Sequence, residues 1–276
     1  MAQVCVVTGG GSGMGLSAAG YMSRDKILVI AGRTVAKLEK AKNVLEAKGF
    51  TVYPHAVDTS DRESVRELAC FAAGLGTITN VINAAGISPS MGKPEQILRI
   101  NALGTVYMNQ EFAKQMPCGS VIVDIASNSA YVLPSILVRT GTYRLADTDE
   151  EAFLRKCLKL SRLAKGDYQR AGFAYAISKN FTVWYAQKSA FELGGKGIRV
   201  VSLSPGLIAT GMGKLEKNEG GSMLSYGAEK RMGTPDELGF AIASLADERN
   251  GYLAGVDVLC DGGCTNGRKF RKKIKA

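Results

Sequence analysis

The stretch Gly172 to Phe181, GFAYAISKNF, sets a phenol at Tyr175 and an amine at Lys179 among small and apolar residues. Helical residues four apart share a face, so on a helix these two side chains meet. A tyrosine hydroxyl ordinarily releases its proton near pH ~10, too high for acid-base work at neutral pH. A neighbouring ammonium favours the phenolate and moves that value toward the range where proton exchange with a substrate oxygen is efficient. A Tyr-x-x-x-Lys pair also arises by chance on solvated helices, so its meaning depends on the rest of the chain.

A second chemistry-bearing stretch is TGGGSGMG, Thr8 to Gly15, directly after the apolar run VCVVT. Gly9, Gly13 and Gly15 permit a tight turn, let backbone approach a pyrophosphate and open a helix whose unpaired N–H groups attract anions. With Ser12 and Met14 between them, they form a candidate dinucleotide loop. The second apolar run ends in AGRT. A carboxylate usually meets a free ribose 2'-hydroxyl there, and Gly32 offers none. Arg33 offers a guanidinium fork to a 2'-phosphate, with Thr34 and Lys37 nearby. A cation at a helix start opposes the dipole and needs an anion to justify it. NADP (NADPH) is therefore expected over NAD. Asp58, after the third run, is placed to accept from an adenine amino group, and Asp58 to Asp61 also reads as helix N-cap chemistry.

The elements that must position these residues follow from periodicity. Seven short apolar runs, VCVVT, ILVIAG, TVYPHAV, NVIN, SVIVDIA, IRVVSLS and VDVLC, alternate with helical stretches. Continuous apolar strands separated by helices predict a parallel sheet covered on both faces, an α/β doubly wound Rossmann fold. The expected strand order is 3-2-1-4-5-6-7. Pro54, which cannot donate a ladder hydrogen bond, then falls on the edge strand. Helices are expected over 14–24, 35–48, 61–73, 94–115, 172–193 and 235–246. More than forty residues separate DIAS from YAISK, far more than a strand-to-helix connection needs. Within this insertion, about 130–171, Thr148 and Glu151 stand at capping-box spacing before an amphipathic helix bearing Phe153, Leu154 and Cys157.

The chain has 276 residues, 46% of them apolar, and no polar or low-complexity linker divides it. One Rossmann-type domain over 1–267 is expected, followed by a basic tail, 268–276. There is no leader pattern and no apolar run near the ~20 residues that span a bilayer, so a cytoplasmic protein without a membrane span is expected. Six scattered cysteines without a Cys-x-x-Cys pair read as free thiols. His55 is the only histidine, which argues against a Ser-His-Asp hydrolase and against a metal site, and a hydrogen-bonded structural role in its strand is expected instead. Of the net charge of +10, the tail RKFRKKIKA supplies six positive charges. Nothing motif-like accompanies it, so a solubilising end is favoured over nucleic-acid binding.

These pieces together resemble the short-chain dehydrogenase/reductase family over nearly the whole chain. They occur in the family's order: TGGGSGMG, Asp58, NAAG (Asn83, Ala84, Ala85, Gly86), Asn101, Ser127 closing VIVDIAS, YAISK, SPGLIAT from Ser204, and DGG from Asp261. The resemblance implies that Tyr175 is the general acid-base, that Ser127 orients the reacting oxygen, and that Lys179 holds the nicotinamide ribose. It further implies a water held by Asn101, cofactor contacts from Asn83 and Ala84, and closure of Pro205, Gly206, Ile208 and Thr210 over the carboxamide. Two departures stand out: Ala84 replaces a usual asparagine, and Gly86 to Asn101 is short enough to trim a helix. The insertion is similar to that of bacterial hydroxysteroid dehydrogenase/carbonyl reductase members, and it is expected to shape the pocket and to alter packing in a homo-oligomer, dimer or tetramer. A lid over Gly206 to Gly227, with Met212, Leu215, Met223 and Leu224 on its apolar side, is expected. The implied activity is NADP-dependent exchange between a ketone and a secondary alcohol. A 3-oxoacyl thioester reductase and a non-catalytic NADP-sensing or scaffold protein are the rivals.

Overall fold

The computed structural model describes residues 1–211 and 224–274. Its strands are β1 (Gln3–Thr8), β2 (Ile27–Gly32), β3 (Thr51–Ala56), β4 (Thr77–Asn83), β5 (Val121–Ile125), β6 (Arg199–Pro205) and β7 (Asp257–Cys260). All pairings are parallel, in the order β3-β2-β1-β4-β5-β6-β7. Successive strand residues point to opposite faces, and both faces are covered. Val4 and Val6 of β1 enter one core, while Cys5 and Val7 enter the other. Each such apolar side chain contributes about 1.5–3 kcal/mol on full burial. Pro54 lies opposite Ile30 on edge strand β3. There its missing N–H interrupts no second ladder.

Helices α1 (Gly13–Tyr21) and α2 (Val35–Glu46) cover the Cys5/Val7 face, and α3 (Arg62–Leu75) covers the other. The single helix expected over 94–115 is broken into three parts. One turn, α4 (Pro94–Ile97), leads into a π-helical segment, Leu98–Leu103, and then into α5 (Gly104–Ala113). Such bulges occur where one residue must be turned out of the α-helical ladder toward a site. Here the segment presents Asn101, whose amide accepts from Ile87 N and donates to Ile87 O. The short Gly86 to Asn101 interval holds a 3-10 turn, Pro89–Met91, and the single turn of α4 before the π-helical segment begins.

The insertion folds as short helical turns, including α6 (Thr140–Tyr143), followed by α7 (Glu150–Ser161) and the five residues that lengthen α8 (Asp167–Gly194) at its start. Asp149, not Thr148, caps α7 by accepting from Ala152 N at 2.9 Å. The shift by one residue leaves Glu150 and Glu151 in the first turn, where they reach Arg62 and Arg99. Phe153, Leu154 and Cys157 are buried against α8, with the rings of Phe153 and Phe181 5.0 Å apart. Nearly all of α5 is buried, and its Tyr107 hydroxyl donates to Glu150 of α7. Further α-helices among the described residues are α9 (Pro235–Leu245), beside α1, and α10 (Cys264–Ile274), which contains the start of the basic tail.

Cys5 and Cys157 are free thiols whose burial pushes them up to about 12, well outside reactive range. His55 departs from expectation: it packs on Phe71 at 4.7 Å, and its buried Nδ1 has no partner among the described residues. Among the described residues no helix is long and apolar enough to cross a membrane.

Replacing Phe153 with Ala should lower unfolding free energy by about 3–5 kcal/mol. The matched change at Ile136, which is 83% exposed in the same insertion, should lie within about 0.5 kcal/mol of wild type. Urea denaturation of the two variants measures both.

Candidate active site

The carboxyl ends of parallel strands leave a crevice where the order reverses, here between β1 and β4. Gly9 leaves β1 with φ +67, and a Cβ there would stand 2.7 Å from Ala84 O. A larger residue would push the loop after β4 away. Gly13 is also left-handed, with φ +59, and a Cβ at Gly15 would stand 2.6 Å from Gly9 O. The three glycines thus draw the turn and the first helix against the sheet. Gly15 packs inside this unit and does not line the crevice.

Two joined cavities occupy the crevice. One, of about 150 Å³, is lined by Gly9, Gly11, Ser12, Arg33, Thr34, Lys37, Asp58 and Thr59, among others. The other, of about 280 Å³, is lined by Met14, Ala84, Ser127, Tyr175, Lys179, Pro205, Gly206, Ile208 and Thr210, with further residues named below. Gly86 and Ile87 line both.

The electrostatics of the first cavity are set by two helix starts. Neither α1 nor α2 has a side-chain cap or an acid in its first turn. By contrast α3, α7 and α9 each have both. Uncapped N–H groups, the positive ends of two dipoles, Arg33 and Lys37 make a cradle for phosphate groups. This donor set fits a pyridine dinucleotide. Asp58 is exposed at the rim, where Oδ1 accepts from both the N–H and the hydroxyl of Ser60. The N-cap of α3 is Asp61.

In the second cavity Ser127, just beyond β5, and Tyr175 and Lys179 of α8 line the same wall. Ser127 caps a 3-10 turn, and its Oγ accepts from Ser129 N at 3.1 Å, which leaves its own O–H to donate outward. Lys179 is 5% exposed; Nζ donates to Ile125 O at 2.8 Å and stands 5.8 Å from the centre of the Tyr175 ring. Tyr175 packs beside Ile87, Ile97 and Ala171. Asn101 lines neither cavity. The space a Cβ at Gly86 would fill lies 3.2 Å from Asn101 Oδ1 and 3.5 Å from Lys179 Nζ.

Asn83 also lies beneath the site, in a buried polar chain. Its Oδ1 accepts from Thr8 Oγ1, which itself accepts from Ala85 N. Its Nδ2 donates to Asp124 Oδ1 at 3.0 Å, and Asn109 Nδ2 donates to Asp124 Oδ2 at 2.9 Å. Burial pushes the Asp124 carboxyl up to about 6, against those two hydrogen bonds and the Lys179 charge. Sequence reasoning did not single out Asp124, though a carboxylate inside an otherwise apolar strand was the available signal.

It also missed Tyr168, Gly172, Pro89, Asn128 and Ser129, which line the second cavity. Tyr168 and Gly172 precede Tyr175 by seven and three residues, the spacing of one helix face. Of the expected lid, Met212, Leu215 and Met223 lie outside the described residues. Its base is held where Ala209 N donates to Gly233 O and Gly233 N to Leu207 O.

The fold agrees with comparison to known proteins. Residues 3–138 match the family model for short chain dehydrogenases, and residues 156–265 match the model for enoyl-(acyl carrier protein) reductases. The chain belongs to the short-chain dehydrogenase/reductase family of oxidoreductases. It is 29% identical to the short-chain dehydrogenase/reductase bsc3 of Alternaria brassicicola, covering 95% of this chain and 96% of that one. It is 26% identical to an acetoacetyl-CoA reductase of Allochromatium vinosum, with 95% and 98% covered. A short chain dehydrogenase of Burkholderia cenocepacia, solved in complex with NADP, superposes with a TM-score of 0.75 at 21% identity, over 96% of this chain and 98% of that one.

The raised Asp124 carboxyl has a consequence for stability. Its folded value lies above the unfolded one, so the folded chain binds this proton more tightly between about pH 4 and 6. The Asp124 contribution should therefore fall as pH rises through that window and stay level above it. Thermal melting of wild type and Asp124→Asn across this range tests it: the difference between the two should favour wild type progressively toward acid.

Proposed function

We propose that this protein is an NADP-dependent oxidoreductase that moves a hydride between the nicotinamide and a ketone or secondary alcohol with a bulky, apolar body. The observation that carries this reading is the convergence of Ser127, Tyr175 and Lys179 on one cavity, joined to a cradle of uncapped helix starts and Arg33. When bound, the nicotinamide supplies or accepts the hydride. The chain's own residues do the rest. Tyr175 gives its proton to the substrate oxygen in reduction and takes it back in oxidation. Ser127, whose oxygen already accepts from Ser129 N, donates to that same oxygen and fixes its position. Lys179, anchored on Ile125 O, holds the ribose hydroxyls and favours the phenolate.

Asn101 holds the Ile87 loop with its amide. A water in the gap beside Gly86 would lie within reach of both Asn101 Oδ1 and Lys179 Nζ and would pass protons outward. Gly9, Ser12, Gly13 and Met14 receive the pyrophosphate, and Gly15 permits their close packing. Asp58 meets the adenine, Asn83 and Ala84 shape the floor, and Pro205, Gly206, Ile208 and Thr210 cover the carboxamide. Arg33, with Thr34 and Lys37, takes the 2'-phosphate, and the lack of a carboxylate at Gly32 supports NADP over NAD.

Ile87, Pro89, Leu207, Ile208 and Tyr168 give the substrate cavity an apolar lining, which supports a bulky, hydroxysteroid-type ketone. A thioester reductase is favoured by the named activity of the Allochromatium relative. Activity on 3-oxoacyl thioesters that fell steeply with salt would select that reading. A cofactor sensor needs the cradle but not the Ser127, Tyr175 and Lys179 constellation. The apolar side of α7 is spent inside the protomer, so we assign any homo-oligomer contact to other surfaces.

Tyr175→Phe should reduce turnover by at least about 100-fold on a panel of ketones and alcohols. NADPH binding, followed by nicotinamide fluorescence, should persist. Sustained turnover in this variant would remove Tyr175 from the chemistry. Arg33→Ala should lose its preference for NADPH over NADH by about tenfold or more in kcat/KM. An unchanged preference would show that Arg33 does not read the phosphate.

A further inference from the structure

Asp124 places a carboxylate with no solvent exposure near the carboxyl end of β5, where an apolar side chain or an amide would be cheaper to bury. Its connections run directly to the reacting groups. One residue along the strand, Ile125 O holds Lys179 Nζ. Through Asn83 and Thr8 the same carboxylate reaches Ala85 N, in the loop that carries Gly86 and Ile87. On its other side Asn109 Nδ2 serves both Asp124 and Ser189 Oγ.

The Asn109 amide suits either protonation state. As it stands, its N–H faces a carboxylate, and its Oδ1 is buried with no partner among the described residues. Turned over, it would present Oδ1 to a protonated Asp124. The groups facing Asp124 are Asn83 from β4, Asn109 from α5 and Ser202 beside it on β6. From α8 the Lys179 charge opposes its burial penalty. Asp257 lies one strand beyond and is occupied by the Ser202 hydroxyl.

We propose that Asp124 is a positioning residue for the Tyr175 and Lys179 pair, and that its gain or loss of a proton inside the sheet sets how readily Tyr175 ionises. The inference rests on the acid-base role proposed for Tyr175. With Asp124 ionised, its negative charge offsets part of the Lys179 field, and the phenolate is less favoured. With Asp124 protonated, that offset is gone, and the phenolate is more favoured. Burial sets the exchange near pH 6, so it falls in a range the enzyme can meet. No bond other than O–H is made or broken, and the proton exchanges with solvent.

The test uses the full chain and alcohol oxidation, the direction that needs the phenolate. In Asp124→Asn the rising limb of kcat/KM against pH should move toward acid by roughly half a unit or more, with NADP binding retained. A residue that served only packing would lower the plateau and leave the limb in place. In wild type, the infrared carbonyl stretch of a protonated carboxyl should disappear between about pH 5 and 7. A shoulder of roughly threefold in the oxidation profile should fall at the same pH. Coincident limbs in the two proteins, or a band without the shoulder, would overturn the proposal. Absence of the band would do so as well. The wild-type measurements decide the matter if the variant does not fold. If no alcohol or ketone is turned over, the proposed function fails, whereas activity with coincident profiles rejects only the part assigned to Asp124.

Discussion

The site depends on a buried amine held by a strand carbonyl. Lys179 Nζ rests on Ile125 O, and this bond fixes α8 against the end of β5. An ammonium out of contact with water is costly unless its donors are met. The register of the long helix is therefore tied to the sheet. Tyr175, one turn earlier, and Ser127, two residues beyond Ile125, meet because both are carried by the two elements this bond joins. The nucleotide loop is set by a different constraint, the close approach of Gly9 to Ala84 O. Both anchors converge on Gly86, which lines both cavities.

Much of this was legible in the sequence because the physics is local. Apolar runs alternating with helical periods give a parallel sheet, and Pro54 on its third run gives the edge. Glycines between a strand and a helix give the cradle. The Tyr175 and Lys179 spacing gives one helical face. What escaped depended on tertiary context. Nothing in LRINAL distinguishes a π-helical segment from an ordinary helix, since the distortion answers a demand from the backbone of Ile87 fourteen residues earlier. Thr148 and Glu151 had capping-box spacing, yet Asp149 won because its cap turns Glu150 and Glu151 toward Arg62 and Arg99. The polar chain around Asp124 draws on three strands and two helices, so no window of sequence contains it.

The insertion shows how a long connection can be absorbed without disturbing the site. Its helix α7 packs on α8 and on the π-helical segment, with Phe153 in an aromatic cluster that includes Tyr143, Phe181 and Tyr185. Ion pairs to Arg62 and Arg99 close its edge. Its last residues extend α8 upstream, which brings Tyr168 to the cavity that Tyr175 lines. The same stretch of chain thus adds core on one side and pocket wall on the other.

The two helix starts left without caps have a bearing on the lifetime of the protein. Where α3, α7 and α9 complete their first turn with their own side chains, α1 and α2 have neither a cap nor an acid there and face the nucleotide cradle, so an anion from outside would complete them. Ligand that binds only the folded chain adds to its stability by mass action. The folded population, and with it resistance to degradation, is thereby tied to the supply of nucleotide: a protein of this design persists where its coenzyme is abundant and is cleared where it is scarce.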